Sequence, residues 1–149
     1  MMSTTNNVFI DSSLLIENIK GTRKKLLFSL LNDASVSCCL NETVISEFMF
    51  HFLKVNSNTS PQSLQSSERI ASVFKLSDNY NLLKLFHFLT ANEGLIDMVP
   101  TFMATYNLLP NDAIILATCK IHNITKLASH DSDFILPCAA EGIELLREE

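Results

Sequence analysis

The sequence predicts an α/β protein with a mostly parallel sheet, because two patterns alternate along the whole chain. Short apolar runs typical of buried strands alternate with longer segments whose apolar residues recur at helical spacing. This alternation is typical of βαβ units, in which a helix connects two parallel strands. Acidic residues follow several of the predicted strands, at the edge where parallel sheets bind ligands. With 149 residues, 47% of them hydrophobic, the chain fits one domain spanning residues 1–149.

The first half of the chain contains two predicted strands and three predicted helices. An apolar strand at residues 8–10 ends at Asp11, and a helix capped by Ser12 or Ser13 follows and stops at Gly21. A second helix begins at residues 22–25 and ends near residues 32–33, before a strand at residues 35–40. Asn41 then opens a long helix. Its apolar stripe consists of Val44, Phe48, Phe52 and Val55.

The second half is less regular until residue 108. Residues 56–67 have the polar composition of a mobile loop, and residues 68–77 and 82–89 fit a helix or a strand equally well. A helix is predicted at residues 91–107, where Pro100 would kink it or mark its first turn. Pro110 opens a further helix, which is apolar on every side and therefore predicted to be buried. A strand at residues 126–129, an acidic loop and an exposed edge strand at residues 143–146 complete the prediction.

Five acidic residues stand at positions that a parallel sheet would bring together. They are Asp11, Glu47, Asp112, Asp131 and Asp133. Right-handed crossovers would place these element ends along one edge of the sheet. Each residue alone has an ordinary explanation, since Asp11 could cap a helix and Glu47 could be solvated. Grouped carboxylates repel one another unless a cation joins them, so the set as a whole predicts a divalent metal site.

Composition excludes few functions. The net charge is −5, and setting aside the five acids leaves 11 acids against 11 bases, so the charge is only weak evidence against a phosphodiester substrate. No apolar run reaches the roughly 18 residues of a membrane span, and the N-terminal segment MMSTTNN does not resemble a signal peptide. We therefore expect a cytoplasmic protein without a membrane association. The four cysteines contain no CxxC pair and are predicted to be inert thiols.

Four segments resemble the PIN-domain nucleases. They are VFIDSS, VISEF, LLPNDAIILATC and LASHDSDF, and the last two are the most specific. The resemblance covers nearly the whole chain and is strongest to the small stand-alone toxin type (VapC-like) of prokaryotic toxin–antitoxin pairs. It implies a three-layer α/β/α fold with a central, mostly parallel sheet. It also implies a site that binds Mg²⁺ or Mn²⁺ and cleaves single-stranded RNA with a metal-activated water.

The resemblance also assigns roles to individual residues. The catalytic and metal-binding acids would be Asp11, Glu47, Asp112 and Asp131. Asp133 would be a fifth acid, either a ligand or a neighbour of the ligands. The position of the two residues in the loop, apart from the resemblance, predicts that Asp131 lies nearer the metal and that Asp133 could instead cap the turn entering Phe134. Ser13 matches the small hydroxyl that orients the acids. Ser129 stands where threonine is frequent in the family, and it keeps the hydroxyl group.

The expected partners are an RNA substrate, a second copy of the chain in a homodimer, and an antitoxin protein. Phe48, Met49, Phe50 and Phe52 make the helix around Glu47 apolar over more than one face. Phe50 and its neighbours are therefore predicted to contribute to the homodimer or to an antitoxin groove. The alternative is that they form a second layer of the core.

Three other interpretations fit less well. His130-Asp131 resembles the motif of HD-type phosphohydrolases, but that fold is all-helical and needs further histidines at helical sites. A receiver-type signalling domain requires an acid pair after its first strand, whereas two serines follow Asp11. A non-catalytic PIN-like module that binds RNA or protein remains the alternative function. The acids at all four motif positions argue against it, because loss of acids is expected in an inactive site.

Overall fold

A five-stranded sheet lies at the centre of the protein, in a computed structural model that describes residues 6–148. Every strand pairing is parallel, which confirms the predicted class. The strands are β1 (Asn6–Ile10), β2 (Val36–Leu40), β3 (His87–Phe88), β4 (Lys126–Ala128) and β5 (Glu144–Leu146). Most of the N-terminal segment for which we predict no signal peptide lies outside the described residues.

Helices connect the strands. Within residues 6–148 they are α1 (Ser12–Lys20), α2 (Lys25–Leu31), α3 (Glu42–Ser57), α4 (Pro61–Ser66), α5 (Ile70–Leu76), α6 (Leu95–Tyr106), α7 (Pro110–Ile121) and α8 (Ile135–Glu141). Two 3₁₀ segments lie at Asn79–Leu85 and Ser132–Phe134. None of the helices in this range is long and apolar enough to cross a membrane.

The strand order explains the layers. The order across the sheet is β3-β2-β1-β4-β5, so the chain moves from β1 in one direction to β3 and then crosses back to β4 and β5. Right-handed connections that run in opposite directions lie on opposite faces of a sheet. The connections therefore cover both faces, which confirms the three-layer α/β/α arrangement. The change of direction falls between β1 and β4, the position at which open parallel sheets bind ligands.

Apolar side chains that the sequence singled out form the core. In β1, Val8, Phe9 and Ile10 are at most 1% exposed. Helix α7 is buried at Ala113 and from Ile115 to Cys119, which confirms that it lies inside the molecule. All four cysteines are free and buried, as predicted. Burial raises the pKa of the Cys38 and Cys138 thiols to about 11, so both remain protonated and unreactive at neutral pH.

The predicted cap of α1 is wrong. Neither Ser12 nor Ser13 precedes the helix; Asp11 occupies the capping position, and its carboxylate makes no capping hydrogen bond. That carboxylate instead accepts hydrogen bonds from two serine hydroxyl groups, which compete with the helix amides for its oxygens. Gly21 ends the helix as predicted, in the left-handed region at φ 83°. Asn41 caps α3, because its side chain accepts a hydrogen bond from the Val44 amide.

The loop predicted at residues 56–67 is also wrong, because it contains α4. Ser60 accepts a hydrogen bond from the Ser63 amide and Pro61 occupies the first turn, which together start a short helix. Leu64, only 2% exposed, holds that helix against the core. The polar composition of the segment predicted a loop, but two apolar residues are enough to hold this six-residue helix against the core.

Of the two segments that fitted a helix or a strand equally well, one is a helix and the other contains a strand. Residues 70–76 form α5, whereas the second segment ends a 3₁₀ turn and then forms the two-residue strand β3. Helix α6 contains Pro100 in its interior rather than in its first turn. Helix α8 was not predicted at all. Among the described residues, the last strand pairs with β4 alone, at an edge of the sheet as expected.

Candidate functional site

The carboxyl ends of the two central strands define the position of the site. Asp11 follows β1 and Ser129 follows β4, directly at the change of direction in the sheet. The Asp11 amide donates a hydrogen bond to the Ala128 carbonyl at 3.0 Å, so the two strand ends are held side by side. Side chains from both ends, and from the helices above them, therefore meet at one place.

A cavity of about 470 Å³ opens above these strand ends. Its lining contains four of the five predicted acids. The lining residues are Glu47, Leu109, Pro110, Asn111, Asp112, Asp131 and Asp133. The fifth acid, Asp11, is not part of this lining and is only 4% exposed. The structure thus separates one buried acid from four that face the opening.

Three carboxylates form a compact cluster in this cavity. One oxygen from each of Asp112, Asp131 and Asp133 lies within 4.8 Å of the others. Ligands on opposite sides of a Mg²⁺ ion lie about 4.2 Å apart, at two bond lengths of about 2.1 Å. Adjacent ligands of an octahedral ion lie closer together, about 3.0 Å apart, so the three oxygens are already near the spacing that one ion requires. The donor set is all oxygen, which suits Mg²⁺ or Mn²⁺.

The pKa of Asp112 lies well above the ordinary value of an aspartate. It lies in the first turn of α7, which begins at Pro110 as the sequence predicts. Desolvation raises the pKa of Asp112 to about 7, and the charges of Asp131, Asp11, Glu47 and Asp133 add to this effect. All four of the other predicted acids therefore interact electrostatically with Asp112, and the repulsion favours binding of a proton or a cation.

Asp11 lies beneath the cavity, held by two hydroxyl groups. Its Oδ2 accepts hydrogen bonds from Ser13 Oγ at 2.8 Å and from Ser129 Oγ at 2.7 Å. Burial raises the pKa of Asp11, while the serine hydroxyl groups act in the opposite direction. Ser13 and Ser129 also lie 3.4 Å from each other. Both serines singled out in the sequence are therefore next to an acid, although the ligand role of Asp11 stays a prediction.

Glu47 reaches the cavity from α3, between two polar side chains. Its Oε1 accepts a hydrogen bond from Ser12 Oγ at 3.2 Å, and its Oε2 accepts one from Asn111 Nδ2 at 3.4 Å. Desolvation raises the pKa of Glu47, with a further contribution from the charge of Asp11. Sequence reasoning did not select Asn111 or Ser12 for this role. Each adjoins a predicted acid along the chain, but only the fold brings them to Glu47.

The loop after β4 distinguishes Asp131 from Asp133. The Asp131 carboxylate accepts a hydrogen bond from the Asp133 amide at 2.9 Å and caps the 3₁₀ turn Ser132–Phe134. The capping role considered for Asp133 therefore belongs to Asp131, because the residue that precedes a turn is the one whose side chain reaches its free amides. Asp133 is exposed, and its carboxylate oxygen lies in the cluster described above.

His130 has no counterpart in an HD-type site. Its backbone amide donates a hydrogen bond to Ser13 Oγ at 2.9 Å. Both ring nitrogens are buried without a hydrogen-bond partner among residues 6–148. The ring is also absent from the lining of the acid cavity.

Comparison with known proteins agrees with this geometry. Residues 8–137 match the PIN domain family. Ribonuclease VapC6 of Methanocaldococcus jannaschii is 37% identical over 161 aligned positions, which cover 96% of this chain and 98% of that protein. Ribonuclease VapC2 of the same organism is 30% identical over 130 positions, which cover 87% of each chain.

Solved structures share the fold at low sequence identity. VapBC2 from Rickettsia felis, bound to a promoter DNA fragment, has a TM-score of 0.58 at 12% identity, covering 96% of this chain and 99% of that chain. A toxin–antitoxin complex from Klebsiella pneumoniae has a TM-score of 0.55 at 17% identity, covering 86% and 90% of the respective chains. Together with the family match and the two curated relatives, these similarities show that the chain belongs to the PIN-domain family, within its VapC-like group.

Proposed function

We propose that this protein is a metal-dependent endoribonuclease that hydrolyses single-stranded RNA, and that it acts as the toxin of a toxin–antitoxin pair. The observation that carries the proposal is the convergence of Asp112, Asp131 and Asp133 in one cavity. Desolvation, together with repulsion from the neighbouring acids, raises the pKa of Asp112 to about 7, as expected for a site that holds a cation. The ribonuclease names of the two curated relatives support the substrate class.

In this proposal Asp112, Asp131 and Asp133 hold Mg²⁺ or Mn²⁺, and Glu47 faces the same cavity as a further ligand. Asp11 adds its negative charge from below, fixed by Ser13 and Ser129. A bound divalent ion supplies Lewis-acid stabilisation of the phosphodiester and a more acidic water.

The nucleophile in this proposal is water rather than a side chain. All four cysteines are buried, and none lines the acid cavity. The lining also lacks a histidine that could activate a serine. Hydrolysis without a covalent enzyme intermediate is therefore the reaction that these residues support.

The proposal also covers the location of the enzyme and its protein partners. Residues 1–149 are taken as a single nuclease domain that acts in the cytoplasm, where its RNA substrates are. An antitoxin partner is supported by solved structures of the same fold, one of which is a toxin–antitoxin complex. Leu109 and Leu136, at 77% and 78% exposure, lie next to the acidic residues and offer apolar contacts for such a partner. A homodimer is also expected, and light scattering in solution would test it.

An RNA cleavage assay tests the activity. Wild-type protein should cleave an unstructured RNA oligonucleotide with Mg²⁺ or Mn²⁺ and should stop when EDTA is added. Asp112→Asn should abolish cleavage, whereas Asp97→Asn, at an exposed acid of α6, should not change it. RNA binding without cleavage under all metal conditions would instead support the non-catalytic module.

A further inference from the structure

The exposed face of α3 leads away from the acid cavity. Glu47, Phe50, His51 and Lys54 occupy positions i, i+3, i+4 and i+7 of the helix, so they lie on the same side of it. Glu47 lines the cavity. Lys54 is seven residues further along, about 10.5 Å along the helix axis at 1.5 Å per residue. The face therefore begins at the acids and ends at a positive charge.

A second lysine joins this face from the neighbouring helix. Helix α1 packs along α3, and Lys20 is its last residue. Lys20 and Lys54 both lie close enough to His51 that their positive charges contribute, after desolvation, to lowering the pKa of His51. Both lysines are exposed, and within residues 6–148 neither takes part in a salt bridge. The end of the face therefore carries two lysine ammonium groups that form no salt bridge among the described residues.

An exposed aromatic ring lies between the acids and the lysines. Phe50 is 44% exposed, and its ring centroid lies 5.7 Å from that of His51 at an interplanar angle of 80°. Exposed aromatic rings interleaved with basic side chains are the combination that binds single-stranded nucleic acid. The rings stack on bases and the cations contact phosphates.

We propose that Lys20, Phe50, His51 and Lys54 form a basic strip that binds the RNA strand where it leaves the acid cavity. The two lysines contact phosphates next to the one that is cleaved, and Phe50 stacks on a base. The inference rests on the proposed ribonuclease function and names the path of its substrate. The strip would also offset an electrostatic repulsion. The carboxylates must accept one phosphate of the RNA, but they repel all of its other phosphates.

RNA fits this strip better than a protein surface does. A second copy or an apolar partner seated on Phe50 would desolvate two ammonium groups that have no acidic neighbour bound to them. A polyanion neutralises them and releases counterions. Phe50 is therefore assigned to RNA in this proposal, in place of the protein contact predicted from the sequence.

Binding measurements with matched variants test the strip. The probe is a fluorescein-labelled, unstructured RNA oligonucleotide, and the protein carries Asp112→Asn so that no cleavage occurs during the titration in Mg²⁺. Adding Lys20→Gln with Lys54→Gln should weaken binding at least tenfold at low salt. The salt dependence, as the slope of log K against log salt concentration, should fall by about 1.4, since each single-strand phosphate contact contributes about 0.7. Lys75→Gln with Lys84→Gln changes the net charge equally at exposed positions elsewhere and should leave both quantities nearly unchanged.

Phe50→Leu tests the stacking contact. Loss of one stacked base should weaken binding about tenfold, whereas Phe28→Leu, at a ring of similar exposure on α2, should have no such effect. Equal effects of the two lysine pairs, or unchanged binding in the Lys20/Lys54 variant, would overturn the proposal. A change of oligomeric state in Phe50→Leu with unchanged RNA affinity would overturn it as well and would assign this face to a second copy.

The same data separate this inference from the proposed activity. A wild-type protein that cleaves RNA while the strip variants bind normally would leave the ribonuclease function standing and remove the strip. A wild-type protein that never cleaves RNA, but binds it through Lys20 and Lys54, would confirm the strip and remove the ribonuclease function.

Discussion

Ser129 Oγ donates a 2.7 Å hydrogen bond to Asp11 Oδ2 and so joins the residue that follows β4 to the residue that follows β1. The same hydroxyl accepts a hydrogen bond from the Asp131 amide at 3.0 Å. Ser129 is completely buried and Asp11 nearly so. One hydroxyl group therefore sets the distance between two of the predicted site acids.

Ser129→Ala should destabilise the protein by about 1–3 kcal/mol, because the buried Asp11 carboxylate loses one of its two hydroxyl donors and the Asp131 amide loses its acceptor. The pKa of Asp11 should rise further above its ordinary value. Ser129→Thr retains the hydroxyl and should cost less, although its additional methyl group enters a fully packed position. Urea denaturation of the three proteins measures the difference. An alanine variant as stable as the wild type would show that this hydrogen bond is not needed to hold Asp11.

Asp131 should combine a structural and a functional role. Asp131→Ala removes the cap of the turn at Ser132–Phe134 and should cost about 0.5–2 kcal/mol. Asp131→Asn keeps a side-chain oxygen that can accept the Asp133 amide, so it should retain stability and lose RNA cleavage. Asp133→Asn should change stability by less than about 0.5 kcal/mol, since its carboxylate is exposed. Thermal melts and cleavage rates of the three variants, measured side by side, test these roles. If Asp131→Asn cleaves RNA at the wild-type rate, the roles assigned to Asp131 and Asp133 are reversed.

Asp112 should make the metal-free protein less stable as pH rises. Its pKa is about 7 in the folded protein against an ordinary value of 3.8, so the folded state binds more protons between these values. The unfolding free energy should therefore fall as pH increases from about 4 to about 7. Asp112→Asn removes this contribution and should give a flatter dependence of the melting temperature on pH in EDTA. Identical pH profiles for wild type and variant would contradict the raised pKa.

Mg²⁺ or Mn²⁺ should stabilise the folded protein, because the cation binds the acid cluster only when the cluster is assembled. At a hundredfold excess over the dissociation constant, the gain should be about 2.7 kcal/mol for a single site. Glu47→Gln should lower the affinity if Glu47 is a ligand, and Asp112→Asn should remove most of the stabilisation. Asp97→Asn is the control for a general effect of charge. Equal stabilisation of all four proteins would place the ion elsewhere.

Local signals in the sequence were sufficient for the elements that carry the acids. Three consecutive apolar residues predicted β1, and Pro110 with Asp112 predicted the start of α7. These signals involve residues only a few positions apart, whose relative positions are set by the local backbone geometry. The same approach missed α4 and α8, because short helices derive little stability from their own residues and more from what they pack against.

The arrangement of the site was decided by the tertiary structure. The hydrogen bonds of Glu47 span 35 residues to Ser12 and 64 residues to Asn111, and such pairings depend on the order of strands in the sheet. The five acids were recognisable as a set from the sequence, since four of them follow or begin a predictable element and Glu47 lies in a predictable helix. That Asp11 lies beneath the cavity, and that Asp131 rather than Asp133 caps the turn, could not be predicted. Both depend on which residues surround each side chain in the folded protein. The order of residues along the chain does not specify the distances between them.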